Sequence, residues 1–145
     1  MPARDDPFDL QRFRSAQDEG GAYERALSEL RAGRKRSHWM WFVFPQVAGL
    51  GRSPMAVRFA ISSLDEARAY LADPVLGPRL VTCASVLLEL GESDAELIFG
   101  GIDAMKLRSS MTLFARAAPD EPVFRSVLER YFDGVEDPAT LSRLG

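Results

Sequence analysis

The residue types with the most chemical potential are concentrated in one segment, residues 31–46. Four of the six residues from 31 to 36 are basic, and the only histidine, His38, and both tryptophans follow within five residues. Free backbone N–H groups at a helix N-terminus attract anions, and nearby cations strengthen the attraction. A basic loop that runs into a helix therefore predicts an anion site, with Ser37 as the helix cap. The tryptophans would add flat surfaces for a base or a sugar.

A second segment, residues 103–114, combines a polar stripe with short hydroxyl side chains. Asp103, Lys106 and Ser110 are spaced by three and four residues, so they share one face of a helix that Asp103 is expected to cap. Short hydroxyls have no propensity advantage inside a helix. They either contribute to a site or allow neighbouring helices to approach closely while bonding to backbone carbonyls.

Together the segments suggest a binding module for a small anionic or nucleotide-like ligand. The pocket would be shared by residues 34–46 and 103–112. The candidate ligand-binding residues are Lys35, His38, Trp39, Gln46, Asp103, Lys106 and Ser110.

One alternative is an enzyme, a hydrolase or a transferase, acting at the same site. His38 is the catalytic candidate because an unperturbed imidazole titrates near neutral pH. Ser110, His38 and Asp103 contain the groups of a catalytic triad, but no G-x-S-x-G pattern accompanies them.

Another alternative is a protein–protein interaction module that docks a partner helix on the aromatic residues of the first segment. A further possibility for the first segment is that its basic residues form an ordinary solvated face with no binding role. Each large aromatic side chain buries about 150–250 Å². At least two of Trp39, Trp41, Phe42 and Phe44 are therefore expected in the core.

The composition of the chain argues against zinc proteins and nucleic-acid-binding proteins. The chain has 145 residues, 46% of them hydrophobic, and a net charge of −3. One cysteine and one histidine cannot supply a zinc site, so no metal and no cofactor are predicted. A pI near 5.2 argues against a nucleic-acid partner. Cys83 lies in an apolar helical pattern and is expected to be buried.

Location is predicted from the absence of export and membrane signals. The N-terminus has no apolar signal-peptide core, and the longest uncharged apolar stretch, residues 39–51, is shorter than the roughly 20 residues that span a bilayer. These observations predict a cytoplasmic protein with no membrane partner. The oligomeric state is left open.

Helix signals extend along the whole chain. Ser53-Pro54, Asp73-Pro74 and Asp137-Pro138 each place a capping side chain before a proline, and Ser63 with Glu66 matches the capping box. With apolar periodicity, they predict helices over 8–17, 21–32, 38–44, 54–60, 64–72, 74–90, 94–99, 104–117, 121–133 and 138–144. The longest central helix is expected at 74–90.

The predicted fold class is all-α. Residues 1–145 are expected to form a single compact, orthogonal multi-helix domain of about eight to ten helices, several of them short, with residues 1–7 flexible. No alternating strand pattern flanks a hairpin turn.

Both segments also resemble a known family. HWMWFVFPQ at residues 38–46 and KLRSSMTLF at 106–114 look like the two signature blocks of domain-of-unknown-function family eighteen-ten. Residues 9–13 with Gln17 resemble its opening, residues 49–53 and 70–80 resemble its middle, and the likeness extends over about residues 9–144. The resemblance implies a mostly helical single-domain protein without an established activity. Phe59 departs from it, since similar sequences often have tyrosine there. Some members carry the label calpastatin, which does not fit because a calpain inhibitor of that type is a disordered repeat protein.

Overall fold

The computed structural model describes residues 6–144, and these contain ten α-helices. They are α1 (Gln11–Asp18), α2 (Ala22–Arg31), α3 (Met40–Val43), α4 (Pro54–Arg58), α5 (Leu64–Ala72), α6 (Leu76–Glu89), α7 (Ala95–Phe99), α8 (Gly101–Ala117), α9 (Pro122–Phe132) and α10 (Pro138–Leu144). Within these residues there is no strand, only an isolated bridge between Val47 and Ile61. The predicted all-α single domain is confirmed, and each predicted segment contains a helix.

The expectation that residues 1–7 are flexible concerns mainly residues 1–5, which lie outside the described part. Asp6 accepts hydrogen bonds from the backbone N–H groups of Leu10 (2.7 Å) and Gln11 (2.9 Å). Its carboxylate thereby fixes the approach to α1.

Helix α8 is the central element of the fold. It packs against α5, α7, α9 and α10, and Leu107, Met111 and Phe114 form the fully buried stripe that its spacing predicts. The expectation that residues 74–90 form the longest central helix is wrong. Helix α8 has 17 residues and α6 has 14. Helix α6 begins only at Leu76 because the Asp73 carboxylate accepts the N–H groups of Val75 and Leu76, which leaves Pro74 in the preceding turn.

Ser53 and Ser63 cap helices as predicted, but the capping box at Ser63 is only half formed. Ser63 Oγ accepts the N–H of Glu66 at 3.1 Å, as predicted. The Glu66 side chain turns instead to Ser62, whose N–H and hydroxyl both lie 2.8 Å from Oε1, and to Arg12 at 2.9 Å. The Glu66 side chain therefore contacts Arg12 of α1 and Ser62 in place of the backbone N–H of Ser63 that a capping box would use.

Helices α5 and α6 meet at a sharp corner, bent by 91°. A Cβ added at Gly77 would lie 2.0 Å from the carbonyl oxygen of Leu71, so only glycine permits this approach. Within residues 6–144 no single helix is long and apolar enough to cross a membrane, and this bent pair reaches the required length only when joined.

The aromatic side chains of the first segment supply much of the core beside α1. Trp39, Phe42 and Phe44 are buried and Trp41 is half-buried, which confirms the expectation of at least two core residues. Gln17 of α1, itself buried, donates to the carbonyl of Phe42 at 2.8 Å and fixes α3 in place.

Cys83 is buried as expected, and burial raises the pKa of its thiol to about 12. The thiol therefore stays protonated at neutral pH and behaves as an apolar core group.

Candidate functional site

The basic loop after α2 surrounds the carboxylate of Glu29, which is part of the protein itself. Glu29 Oε1 accepts the N–H groups of Arg36 (2.7 Å) and Ser37 (2.9 Å) and the indole N–H of Trp39 (2.9 Å). Ser37 Oγ donates to Oε2 at 2.6 Å. The prediction that Ser37 caps a helix is wrong, because α3 begins at Met40 and its N-cap, Trp39, makes no side-chain cap bond.

These hydrogen bonds control the titration of Glu29. Partial burial raises its pKa, but the bonds from Ser37, Arg36 and Trp39 together outweigh burial and lower the pKa to about 2. The donors that would favour a bound anion at this loop are thus already used by a permanent carboxylate.

Lys35 connects the same loop to α7 and α8. Its N–H donates to the carbonyl of Ile98 at 2.8 Å, and its ammonium lies 2.9 Å from Asp103 Oδ2. The ammonium also donates to the carbonyl of Ser37 and lies 5.1 Å from the centre of the Trp39 ring. Only 8% of the side chain is exposed. Lys35 is therefore fully engaged inside the protein.

Lys106 approaches Asp103 from one turn along α8. Its ammonium lies 3.5 Å from Asp103 Oδ1 and 5.1 Å from the centre of the Trp41 ring, with 24% of the side chain exposed. Lys35 and Lys106 are the only lysines of the chain. Both lysines therefore meet at one carboxylate, each against one of the two tryptophans.

Asp103 has a different role from the one expected. Helix α8 begins at Gly101, so Asp103 lies within its first turn and is not the N-cap. Its carboxylate is instead the point at which the two sequence segments meet.

A groove of about 400 Å³ opens beside Lys106. Its walls come from the loop before α4, the start of α8 and the start of α10, and they are mainly apolar. The lining residues are Gln46, Leu50, Gly51, Arg52, Ser53, Ala56, Ile102, Met105, Lys106, Ser109, Asp137 and Ala139. The groove is shared by the end of the first segment and the start of the second.

The polar groups of this groove differ in how far they are already satisfied. Asp137 accepts the N–H and the hydroxyl of Thr140 at 3.0 and 2.6 Å, so its charge serves as the cap of α10. Arg52 is exposed and forms no ion pair within residues 6–144. Gln46 is held through its backbone, where its carbonyl accepts the N–H of Ile61 at 2.9 Å. The groove therefore has cationic groups available near an apolar surface.

Of the twelve residues that line this groove, only Gln46 and Lys106 were predicted from the sequence as ligand-binding residues. Arg52 follows a short glycine-rich stretch that has no motif, and Ile102 and Met105 are apolar residues on the solvent side of α8. An apolar residue at an outward-facing helical position is the signal that points to such a surface.

His38 and Ser110 do not line the groove. His38 is exposed and makes no hydrogen bond within the described residues, so the bonds of a Ser–His–Asp triad are absent there. Ser110 is fully buried, and its hydroxyl has no hydrogen-bond partner among residues 6–144. The same part of the chain holds no cluster of three metal-ligating side chains.

The other hydroxyls of α8 attach the last helix. Ser109 Oγ lies 2.7 Å from Thr140 Oγ1, and Thr112 Oγ1 donates to the carbonyl of Arg108 while accepting the N–H of Asp137 at 2.9 Å. Close helix approach and a bond to the preceding turn therefore explain Ser109 and Thr112.

This chain is similar to a family described as being of unknown function and to a hypothetical protein of known structure. The family model described as "Protein of unknown function (DUF1810)" matches residues 7–144. The crystal structure of the conserved hypothetical protein Rv1873 from Mycobacterium tuberculosis is similar, with 53% sequence identity and a TM-score of 0.92 over 96% of this chain and 98% of that chain. No curated protein matches this chain.

Proposed function

This chain belongs to the DUF1810 family of proteins of unknown function, and we propose that it binds a small organic anion in the groove beside Lys106. The observation that carries the proposal is the position of Lys106, which lines the groove while sharing with Lys35 the only carboxylate partner that it has among residues 6–144.

The charge balance around Asp103 favours an anion. Two ammonium groups share one carboxylate, and Lys35 is the closer partner, at 2.9 Å compared with 3.5 Å for Lys106. One positive charge is left over, and Arg52 adds another at the rim of the groove. The one carboxylate among residues 6–144 that lines the groove, Asp137, is already engaged by the N–H and the hydroxyl of Thr140. A phosphate or carboxylate group would complete both interactions.

The apolar surface of the groove indicates the rest of the ligand. Leu50, Ile102 and Met105 line it, and its volume of about 400 Å³ suits a small organic molecule. Gln46 supplies an amide that both donates and accepts. The proposed ligand class is therefore a phosphate or carboxylate that carries an apolar or aromatic body, which includes nucleotides.

Of the residues predicted from the sequence, Lys106 and Gln46 would contact the ligand, and Asp103 would position Lys106. Lys35 would hold Asp103 in place, and Trp39 would pack against Lys35. Roles for His38 and Ser110 in binding or catalysis stay predictions. The proposal takes residues 1–145 as one domain of a cytoplasmic protein, and its partner is a small molecule because the acidic chain is unsuited to nucleic acid.

The test is a thermal-shift titration followed by calorimetry, with adenosine 5′-monophosphate, ribose 5-phosphate and inorganic phosphate as probes. The nucleotide is expected to bind more tightly than inorganic phosphate, since only the nucleotide covers the apolar surface. A probe at about 100 times its Kd adds about 2.7 kcal/mol of stability. Lys106→Met and Arg52→Gln should each weaken binding about tenfold, the effect of one charge-assisted hydrogen bond.

The matched control is Arg31→Gln, which removes one exposed cation at the end of α2 that does not line the groove. It should leave the affinity unchanged. Absence of binding for all three probes, or equal affinity in the Lys106→Met variant, would refute the proposal.

A further inference from the structure

Helix α7 presents one large apolar side chain to solvent. Ala95, Ile98 and Phe99 are buried and anchor the helix, whereas Leu97 is 65% exposed. Because three of its five residues face inward, the helix is firmly attached and Leu97 is held in a fixed position on the surface.

Acidic residues lie at the start of this helix. Asp94, the N-cap, and Glu96 are both exposed, and neither forms an ion pair within residues 6–144. The only side-chain hydrogen bond of Asp94 there is the cap bond from the Glu96 N–H, at 3.0 Å. Both carboxylates therefore lack a cationic partner.

Basic residues lie at the other end of the same helix. The N–H of Lys35 donates to the carbonyl of Ile98 at 2.8 Å, so the basic loop runs past the end of α7. Its neighbours Arg34 and Arg36 are exposed and form no ion pair among the described residues. We call Arg34, Arg36, Asp94, Glu96 and Leu97 the α7 surface.

We propose that the α7 surface binds the α7 surface of a second copy of this chain. A two-fold axis beside Leu97 sets the two α7 helices antiparallel, so the acidic end of one helix faces the basic loop of the other. The two Leu97 side chains meet at the centre. Since α7 is only about 7 Å long at 1.5 Å per residue, both ends are within reach of one interface.

The charge pattern argues for a second copy as the occupant. A partner that matched the α7 surface would need an apolar centre flanked by two cations on one side and two anions on the other. The chain itself carries this arrangement, and a two-fold rotation supplies it in the required order.

The size of the surface sets the strength of the association. Five side chains from one short helix and the neighbouring basic loop bury less than the roughly 1,200–2,000 Å² of a stable interface. A reversible monomer–dimer equilibrium is therefore expected. It should weaken when sodium chloride is raised from about 50 to about 500 mM, since exposed ion pairs are screened by salt.

The test is sedimentation velocity of the full chain over a concentration series up to about 1 mM, a range suited to weak association. Leu97→Asp should weaken dimerisation at least about tenfold, because it removes the apolar centre and opposes two negative charges. The matched control is Val57→Asp, since Val57 is 64% exposed and lies on α4. It should leave dimerisation unchanged.

Swapping the charges of Arg36 and Glu96 tests the antiparallel arrangement of the two α7 helices. Arg36→Glu and Glu96→Arg should each weaken the dimer, and the double variant should restore it, because the opposite charges again face each other across the axis. Circular dichroism would confirm that each variant is folded.

A wild-type protein that stays monomeric throughout the concentration series would overturn the proposal. So would a dimer that Leu97→Asp leaves intact, or a double variant no stronger than the single ones. The ligand-binding proposal is independent of these outcomes, since none of the five residues lines the groove beside Lys106.

Discussion

The ammonium of Lys35 lies 2.9 Å from the carboxylate of Asp103, and this pair joins the loop after α2 to the first turn of α8. Lys35 is 8% exposed and Asp103 is 21% exposed, so the pair is partly shielded from water. The same carboxylate holds Lys106 at the groove. A single ion pair thereby supports both the fold and the candidate site.

The two lysines are expected to differ in their contribution to stability. Lys35→Met should cost about 2 kcal/mol, because it removes a shielded ion pair and a hydrogen bond to a backbone carbonyl. Lys106→Met should cost less than about 1 kcal/mol, since Lys106 is more exposed and its ion pair is longer. Urea denaturation measures both values. A larger loss for Lys106→Met would contradict this assignment.

Glu29→Gln should destabilise the protein by about 1–2 kcal/mol at pH 7, because Gln offers one acceptor oxygen where the carboxylate offers two and carries no charge. The pKa of Glu29 is lowered in the folded protein to about 2, from a value of 4.5. Its contribution is therefore fully present above about pH 4.5 and is lost as the pH falls towards about 2. Denaturation of both proteins between these pH values should show the difference shrinking; a difference that grows on acidification would exclude the proposed role.

Ser109 and Ser110 form a matched pair with opposite predictions. Ser110→Ala should raise the free energy of unfolding by about 1 kcal/mol, because it removes a buried hydroxyl that has no hydrogen-bond partner among the described residues. Ser109→Ala should lower it by about 1 kcal/mol, since the hydrogen bond between the Ser109 and Thr140 hydroxyls is lost and Thr140 keeps only its bond to Asp137. Thermal and chemical denaturation test both. Destabilisation by Ser110→Ala would contradict the prediction, since it would mean that the hydroxyl stabilises the folded protein.

Gly77→Ala should cost about 3 kcal/mol or more, because the new Cβ would lie 2.0 Å from the Leu71 carbonyl oxygen and force the α5–α6 corner apart. Gly91→Ala is the control. No atom lies within 4 Å of the corresponding Cβ position, so a change of less than about 1 kcal/mol is expected. Equal effects in the two variants would show that backbone entropy, and not steric contact, dominates at Gly77.

The helices were predictable because their signals are local. Ser53 and Ser63 cap helices that begin one residue later, and the spacing of Leu107, Met111 and Phe114 identifies the buried face of α8. Where a side chain has a distant competitor, the local rule fails. Glu66 does not form the predicted capping-box bond, because its carboxylate binds Ser62 and Arg12.

The candidate site was predictable only in part. Asp103 and Lys106 are three residues apart on one helix, so their contact follows from helical geometry. The contact of Asp103 with Lys35 depends on how the loop after α2 lies against α7.

By itself, the sequence determined the helices, the family and the two unusual segments, because capping bonds, apolar periodicity and residue identity act within a few positions along the chain. Only the tertiary structure decided that Glu29 is the anion of the basic loop. It also decided that Arg52, Ile102 and Met105 share a groove with Lys106. The physical reason is that these relationships arise from packing between helices distant in sequence, where the available donors and the space left beside them are set by the whole fold.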